Sequence, residues 1–503
     1  MSKLKLMGRF SALESDVPES TVSAAEDIPQ DVLETAVDTE VDGTDTVEGH
    51  AVEAQEAEGE VEKTDDDIED LQETSEALES YLGIIQDARM CRRGLTKGEA
   101  HILYVGIDNA VRRVGLNVGD IAGNVSVESF DGGRDSLGRC ASLENAIWDA
   151  LKQFWEKIKE QVNKLVKYVR DWYLKHLDGT ARLKKKAEKL KEKASNTNGT
   201  AKEKKISIGV HRQLCGAGKV AGTAATIVAG LKEVGGIVKD YSTKFVSNGF
   251  DTTLDNFEKT ADDAMDNTTA YFNTGTVKTV IDTLEVTLNK TFNASGSGSN
   301  DKVANDLKAT LGLTTGVVHA SDMLPGMKVA YYVTPATGTA QNAAPANSGA
   351  AATHLTYIEK LKETAEKSKI SFRFTTKSIP EIDSSKEYKT LETSEAGDIC
   401  TAVISMCEDI LSHKQSYSKY ESATKKFLSK MDTIYKKTPK VDAGSGNADI
   451  QRHNMKVARI VGGAGAALIR SASATITNTS SFGTQLGRAA LVYVQASLAQ
   501  YKD

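Results

Sequence analysis

The sequence predicts a mainly α-helical protein: an extended helical body with helical hairpins and a small antiparallel β-ribbon, preceded by a disordered acidic leader. Three observations lead there. Apolar residues recur at i, i+3 or i+4 and i+7 over long stretches of the 503-residue chain. Only 7 residues are proline and only 6% are aromatic. The acidic residues crowd into the N-terminal end, where Phe10 is the sole aromatic before Tyr81.

The leader is defined by charge. Residues 1–79 have Lys3, Lys5, Arg9 and Lys63 as their only strong bases, against 15 Glu and 10 Asp, a net charge of −21. The whole chain carries 62 bases and 70 acids, net −8, so residues 80–503 carry +13. A segment this acidic and this poor in aromatics buries too little apolar surface to offset chain entropy. Disorder is therefore expected over residues 11–70. The cluster Leu4, Leu6, Met7 and Phe10 reads as a short docking helix or a frayed end.

The body divides by pattern. Residues 80–115 read as a helical hairpin, with Leu78, Leu82, Ile85 and Ala88 on one face, a turn at Gly94–Gly98, then Ala100, Leu103, Ile107 and Val111 up to Gly115. Residues 116–142 are a Gly/Ser-rich linker. A basic helical domain spans 143–320. It opens with a helix over 143–178 whose stripe runs Ile147, Leu151, Phe154, Ile158, Val162, Leu165, Val169, Trp172, and which contains all three tryptophans. Gly179 is expected to stop that helix, and a second one to follow over 181–194. Residues 206–260 suggest a tight helical pair, and Val277–Leu288 keeps helical spacing. Residues 321–384 form a small β-ribbon with a low-complexity loop: Met327–Thr334 and Ile370–Thr376 alternate at period two around the Ala/Gly/Asn-rich segment 335–352. Residues 385–503 are a C-terminal helical domain, with Thr393 or Ser394 as N-cap and a break over Ser471–Gly483.

Several function classes find no support. The five cysteines form no CxxC pair and read as reduced, buried thiols, Cys400 and Cys407 lying on one helix face. No run of 18 apolar residues predicts a membrane span, and no apolar stretch follows the N-terminal lysines as a secretory signal would require. Gly216–Ala221 resembles a dinucleotide fingerprint, but no strand precedes it, no acidic residue follows in a strand context, and Lys219 precedes Val220 rather than Ser or Thr. It reads as close helix packing, as does Gly462–Gly465. The eight histidines are scattered, without ligand-like spacing. No catalytic, cofactor or metal site is expected, and no small-molecule substrate.

The strongest chemical signal is basic. Residues 152–205 hold 17 bases and 7 acids, net +10. Lysines spaced along helices can follow phosphates without reading sequence. Lys164, Lys167, Lys184, Lys185, Lys186, Lys189, Lys191 and Lys193 are the candidate DNA contacts. The plainer reading is the solvated face of a bundle. A membrane-lying role for the stripe of 143–178 is a third reading, and a membrane is not the expected partner.

Glu76-Ala-Leu-Glu-Ser-Tyr-Leu-Gly-Ile-Ile, Gly94-Leu-Thr-Lys-Gly-Glu-Ala and Val105-Gly-Ile-Asp-Asn-Ala-Val-Arg-Arg-Val-Gly resemble internal head proteins of large, myovirus-type tailed bacteriophages. So do Phe154-Trp-Glu-Lys-Ile-Lys, Ala187-Glu-Lys-Leu-Lys-Glu-Lys-Ala and Leu324-Pro-Gly-Met-Lys-Val. The resemblance covers about residues 75–195 and, more weakly, 320–435. It implies a non-enzymatic prohead core protein, made in the host cytoplasm, trimmed by the prohead protease and kept in the capsid interior with the genome. The implied partners are phage DNA, bound without sequence preference, capsid or portal and core proteins, and that protease. Such proteases cut after Glu with a small or aliphatic residue two positions earlier. Glu79, at the charge boundary, fits this pattern, as do Glu14, Glu73 and Glu144. An assembly scaffold and an injected enzyme with an unrecognised site are the alternatives.

Overall fold

The computed structural model describes residues 47–122, 130, 134–215, 222–272, 279, 305, 308–309, 317–334, 362, 373–375, 387–437 and 448–501. The docking cluster near Phe10, Glu14, the Gly216–Ala221 motif, the segment 280–300 and the loop 335–352 lie outside the described residues. Residues from 50 onward form one compact unit. The fold is mainly helical with small antiparallel sheets, as the sequence predicts.

Helix α1 spans Val47–Met90. This corrects the expectation of disorder up to residue 70. The stripe Leu78, Leu82, Ile85, Ala88 continues backwards through Leu71 and Ile68, and Ile68 is fully buried. Those two side chains, spaced for one helix face, were masked by the acidic average around them. Thr74 joins them, donating from Oγ1 to the Ala110 carbonyl at 3.2 Å. The hairpin turn follows the expected glycine: Gly94 has φ +66°, and an added Cβ would stand 2.7 Å from Ser136 Oγ. Helix α2, Lys97–Arg112, starts in a capping box between Thr96 and Glu99 and ends before Gly115, at φ +73°.

After the short α3, Val118–Ala122, helix α4 runs unbroken from Arg134 to Asn196. At ~1.5 Å per residue it is a rod of roughly 95 Å. Two expectations are corrected here. The linker ends by residue 133, and Gly179 does not stop the helix. A helical glycine costs only about 1 kcal/mol relative to alanine. The stripe on either side of it, Tyr173, Leu177, Leu183 and Ala187, is buried. Burying each large apolar side chain returns about 1.5–3 kcal/mol, so the glycine is overruled. The Thr180 hydroxyl also donates back to the His176 carbonyl at 2.9 Å.

The region expected as a helical pair contains β1, Lys205–Ser207, a turn of helix α5, His211–Leu214, helix α6, Ala224–Asp240, a π-helical stretch, Tyr241–Phe250, and α7, Asp251–Asp266. The expected ribbon forms. Strand β3, Lys328–Thr334, pairs antiparallel with β4, Arg373–Thr375, in the register Ala330 to Phe374. The sequence did not signal β2, Val317–Leu324, which adds a third strand on the other edge of β3. Gly326, φ +77°, turns the chain between β2 and β3. Strand β5, Glu387–Lys389, pairs with β1.

Helix α8 is Thr393–Lys436, and its cap is Glu392, which forms a capping box with Glu395, rather than Thr393 or Ser394. Helix α9 is Ala448–Leu498 and passes straight through the expected break at Ser471–Gly483. The hydroxyls there bond the chain's own carbonyls four residues back: Ser473 to Ile469 at 3.0 Å, Thr475 to Ser471 at 2.9 Å, Thr479 to Thr475 at 2.7 Å. Buried hydroxyls are satisfied this way inside the helix, and Ser473 also meets the Tyr420 hydroxyl at 2.5 Å. Helix α9 is long and apolar enough to cross a membrane, yet most of that stretch is buried inside the protein, as a core helix would be.

Helices α4, α8 and α9 share the core. Tyr173 stacks on Tyr417 at 5.1 Å, and the two phenols donate across the interface, to Ile410 and Val166 carbonyls. The stripe of 143–178 is spent here, with Ile147, Phe154, Val162 and Val169 fully buried. Glycines notch α9 against α8: added Cβ atoms at Gly462 and Gly465 would overlap Tyr435 and Phe427, and at Gly483 and Gly487 would press on Ile410 and Met406. The expectation of close packing at Gly462–Gly465 agrees with this.

Candidate functional site

The tripeptide Ala77-Leu78-Glu79 lies in the regular part of α1. Leu78 is fully buried. The Glu79 carboxylate accepts from the Arg459 guanidinium on α9, and its side chain is only 12% exposed. Arg459 in turn sits 5.3 Å over the Trp148 ring of α4. Glu73, one and a half turns earlier, is at the surface and pairs with Arg113 at 2.8 Å. Glu144 is buried on α4, held by Arg89 and by Gln86 Nε2 at 2.9 Å. The three described Glu candidates therefore differ sharply in access: Glu73 is open, Glu79 is clasped and Glu144 is enclosed.

The eight candidate lysines all lie on α4 but not on one face. At about 100° per residue, Lys164, Lys167, Lys185, Lys186, Lys189 and Lys193 fall within one arc of roughly 100°, and Lys184 and Lys191 point away from it. The six are exposed. Lys164 pairs with Glu160 at 2.9 Å. Lys184 is taken up by Glu408 of α8 at 2.9 Å. Lys191 lies on the side of Cys400, whose thiol its charge pulls down slightly against a larger upward push from burial.

A second feature escaped the sequence reading. A cleft of about 630 Å³ lies between α1 and the bundle. Its floor includes Trp148, Trp155, Tyr435 and Met455. Trp155 meets Tyr435 edge-on at 4.5 Å, and its indole N–H is buried without an acceptor among the described residues. Lys152, Lys456 and Arg459 reach the cleft from α4 and α9. Burial, with Lys362 and Arg452 nearby, pulls the Lys456 ammonium below its ordinary range. The one signal in the sequence was the spacing of Glu69, Glu73, Glu76 and Glu79 along one side of α1.

Among the described residues no group of three or more His, Cys, Asp or Glu side chains is placed to hold a metal. Four of the cysteines are buried, as expected, and Cys91 is exposed, which is not.

A family model for phiKZ-like phage internal head proteins matches residues 38–502 of this chain. Neither the curated proteins nor the solved structures contain a significant match.

Proposed function

From its membership of the phiKZ-like phage internal head proteins, which places this chain inside the virion capsid, we propose that it is a structural component that stays with the genome by touching DNA phosphates and is trimmed after Glu79 during head maturation. The observation that carries the DNA contact is the lysine face of α4. Lys167, Lys185, Lys189 and Lys193 are exposed on one arc, and none has an ion-pair partner among the described residues. Such a face neutralises phosphates through released counterions and does not discriminate bases.

Trimming fits the charge geography. Removal of residues 1–79 takes away a net −21 and leaves +13. Because Glu79 is helical and clasped by Arg459, a protease that needs an extended substrate has to act before this part of α1 docks or after it opens. The capsid, portal or core neighbours of the protein belong to the same proposal.

The DNA reading is tested by binding of duplex DNA over a salt series. Six phosphate contacts give a slope of log affinity against log salt of about −5, and Lys185→Gln, Lys189→Gln and Lys193→Gln together reduce it by about 3. An unchanged slope rejects the lysine face. Mass spectrometry of the virion-associated chain tests the trimming: a chain beginning at Ser80 supports it, and an intact chain rejects it.

A further inference from the structure

The charges lining the cleft are sorted by element. All four acidic residues on its walls, Glu69, Glu73, Glu76 and Glu79, belong to α1. All five basic ones, Arg113, Lys152, Lys362, Lys456 and Arg459, belong to other parts of the chain. Three pairs join the two sets: Arg113 with Glu73, Lys362 with Glu76, and Arg459 with Glu79. Apolar packing does not complete the closure, because about 630 Å³ remains beneath α1 over the tryptophan floor. At this rim α1 is thus held by charge, while Ile68, Leu71 and Leu78 hold its buried face.

Two further facts describe what this cleft is suited to hold. The helix rise of ~1.5 Å per residue sets successive carboxylates about 4.5–6 Å apart along α1, a row of negative groups spaced much like phosphates along a nucleic-acid strand. The floor adds the rings of Trp148 and Trp155 beside Lys152, Lys456 and Arg459, an aromatic surface next to cations of the kind on which nucleic-acid bases stack.

We infer that the cleft is a second DNA-phosphate site, which the acidic face of α1 fills as an internal mimic until the chain is cut after Glu79. This rests on the DNA contact and the trimming proposed above, and adds a location and a lock to them. The cut removes every carboxylate from the walls and leaves five cations around two tryptophans. It also frees Arg459, which already sits over Trp148. The leader then does more than shift the net charge: it occupies the place that DNA later takes.

The test uses the full chain, with the mimic neutralised rather than removed. Glu69→Gln, Glu73→Gln, Glu76→Gln and Glu79→Gln in one chain are expected to raise affinity for a short DNA duplex by about tenfold at fixed salt and to steepen the salt slope. Adding Lys152→Gln and Lys456→Gln returns the affinity to that of the unaltered chain. Neutralising Asp251, Asp255, Glu258 and Asp262 on α7 controls for net charge and is expected to have a much smaller effect. Tryptophan emission gives an independent signal. DNA should change it in the quadruple variant and leave it unchanged in the parent, since Trp148 and Trp155 line the cleft, whereas Trp172 is stacked on His176. Should the quadruple variant misfold by circular dichroism, Glu73→Gln with Glu76→Gln, both half-exposed, provides the milder version, with a gain of about threefold expected.

No gain in either variant, or an equal gain from the α7 control, overturns the inference. If the α4 lysine variants still weaken binding in that case, the lysine face stands and only the cleft fails. If no form of the chain binds duplex DNA, the DNA reading fails and the cleft inference falls with it.

Discussion

Glu79 and Arg459 are 380 residues apart in sequence and form an ion pair over the indole of Trp148. The pair fastens α1 to α9 at the point where the leader's charge ends. Glu79→Gln leaves a largely buried guanidinium without its carboxylate, at a cost of about 1–3 kcal/mol, read as a lower urea midpoint. Arg459→Ala is expected to speed cutting after Glu79 by a Glu-specific endoprotease, while cutting after the exposed Glu73 changes little. Equal rates at Glu79 in the two chains would mean that the clasp does not protect the site.

Lys456 gives a pH signature. Burial and the neighbouring Lys362 and Arg452 lower its affinity for a proton in the folded state. The unfolded chain then binds more protons, so this group destabilises the fold at neutral pH. The penalty fades as pH rises from the lowered folded value towards the ordinary 10.5. Lys456→Met is expected to raise stability at pH 7 and to show a smaller gain near pH 10.5, measured by urea unfolding at both.

Buried tyrosines act in the opposite direction. Burial raises the phenols of Tyr173, Tyr241, Tyr417, Tyr420 and Tyr435, and that of Tyr388 to about 12. In each case the folded state holds its proton more tightly, so the stabilisation is complete below pH 10 and is lost as pH rises above it. Ultraviolet titration of phenolate should show these rings silent until the chain unfolds in one step. A smooth titration of all 15 tyrosines around pH 10 would contradict their burial.

The thiols divide in the same way. Cys91 is exposed. Burial pushes Cys400 up to about 11 and Cys407 up to about 12. A disulfide reagent at pH 8 should label one thiol quickly in the native chain and all five after denaturation. Cys91→Ser should abolish the fast phase.

Much of this was legible in the sequence. The stripes of α1, α4 and α8 are regular enough to be read directly, and the pairing of β3 with β4 follows from two alternating segments. The errors share a cause. Gly179 and Ser471–Gly483 look like breaks because local preference favours a turn there, and the tertiary core outweighs it. Ile68 and Leu71 were hidden inside an acidic average. Strand β2, Val-Val-His-Ala-Ser-Asp-Met-Leu, lacks clean alternation and exists because β3 offers it an edge. The cleft was invisible for a different reason. Its carboxylates lie within eleven consecutive residues, but the cations that meet them come from positions 113, 152, 362, 456 and 459, and only the fold brings them together.

The glycine notches of α9 have a mechanical consequence. Between the notches the phenol of Tyr420 on α8 bonds α9 at the Ile469 carbonyl, 3.2 Å away, and at the Ser473 hydroxyl, 2.5 Å away. Elsewhere along this contact the axial position of α9 is set by shape, as a key is set by its cuts. A methyl added at Gly465 cannot be absorbed by a flexible neighbour, because the ring of Phe427 fills the notch. The helix would have to slide or roll as a unit. Arg459 lies less than two turns away on the same rod, so a defect deep in the core would register at the rim where the leader is fastened.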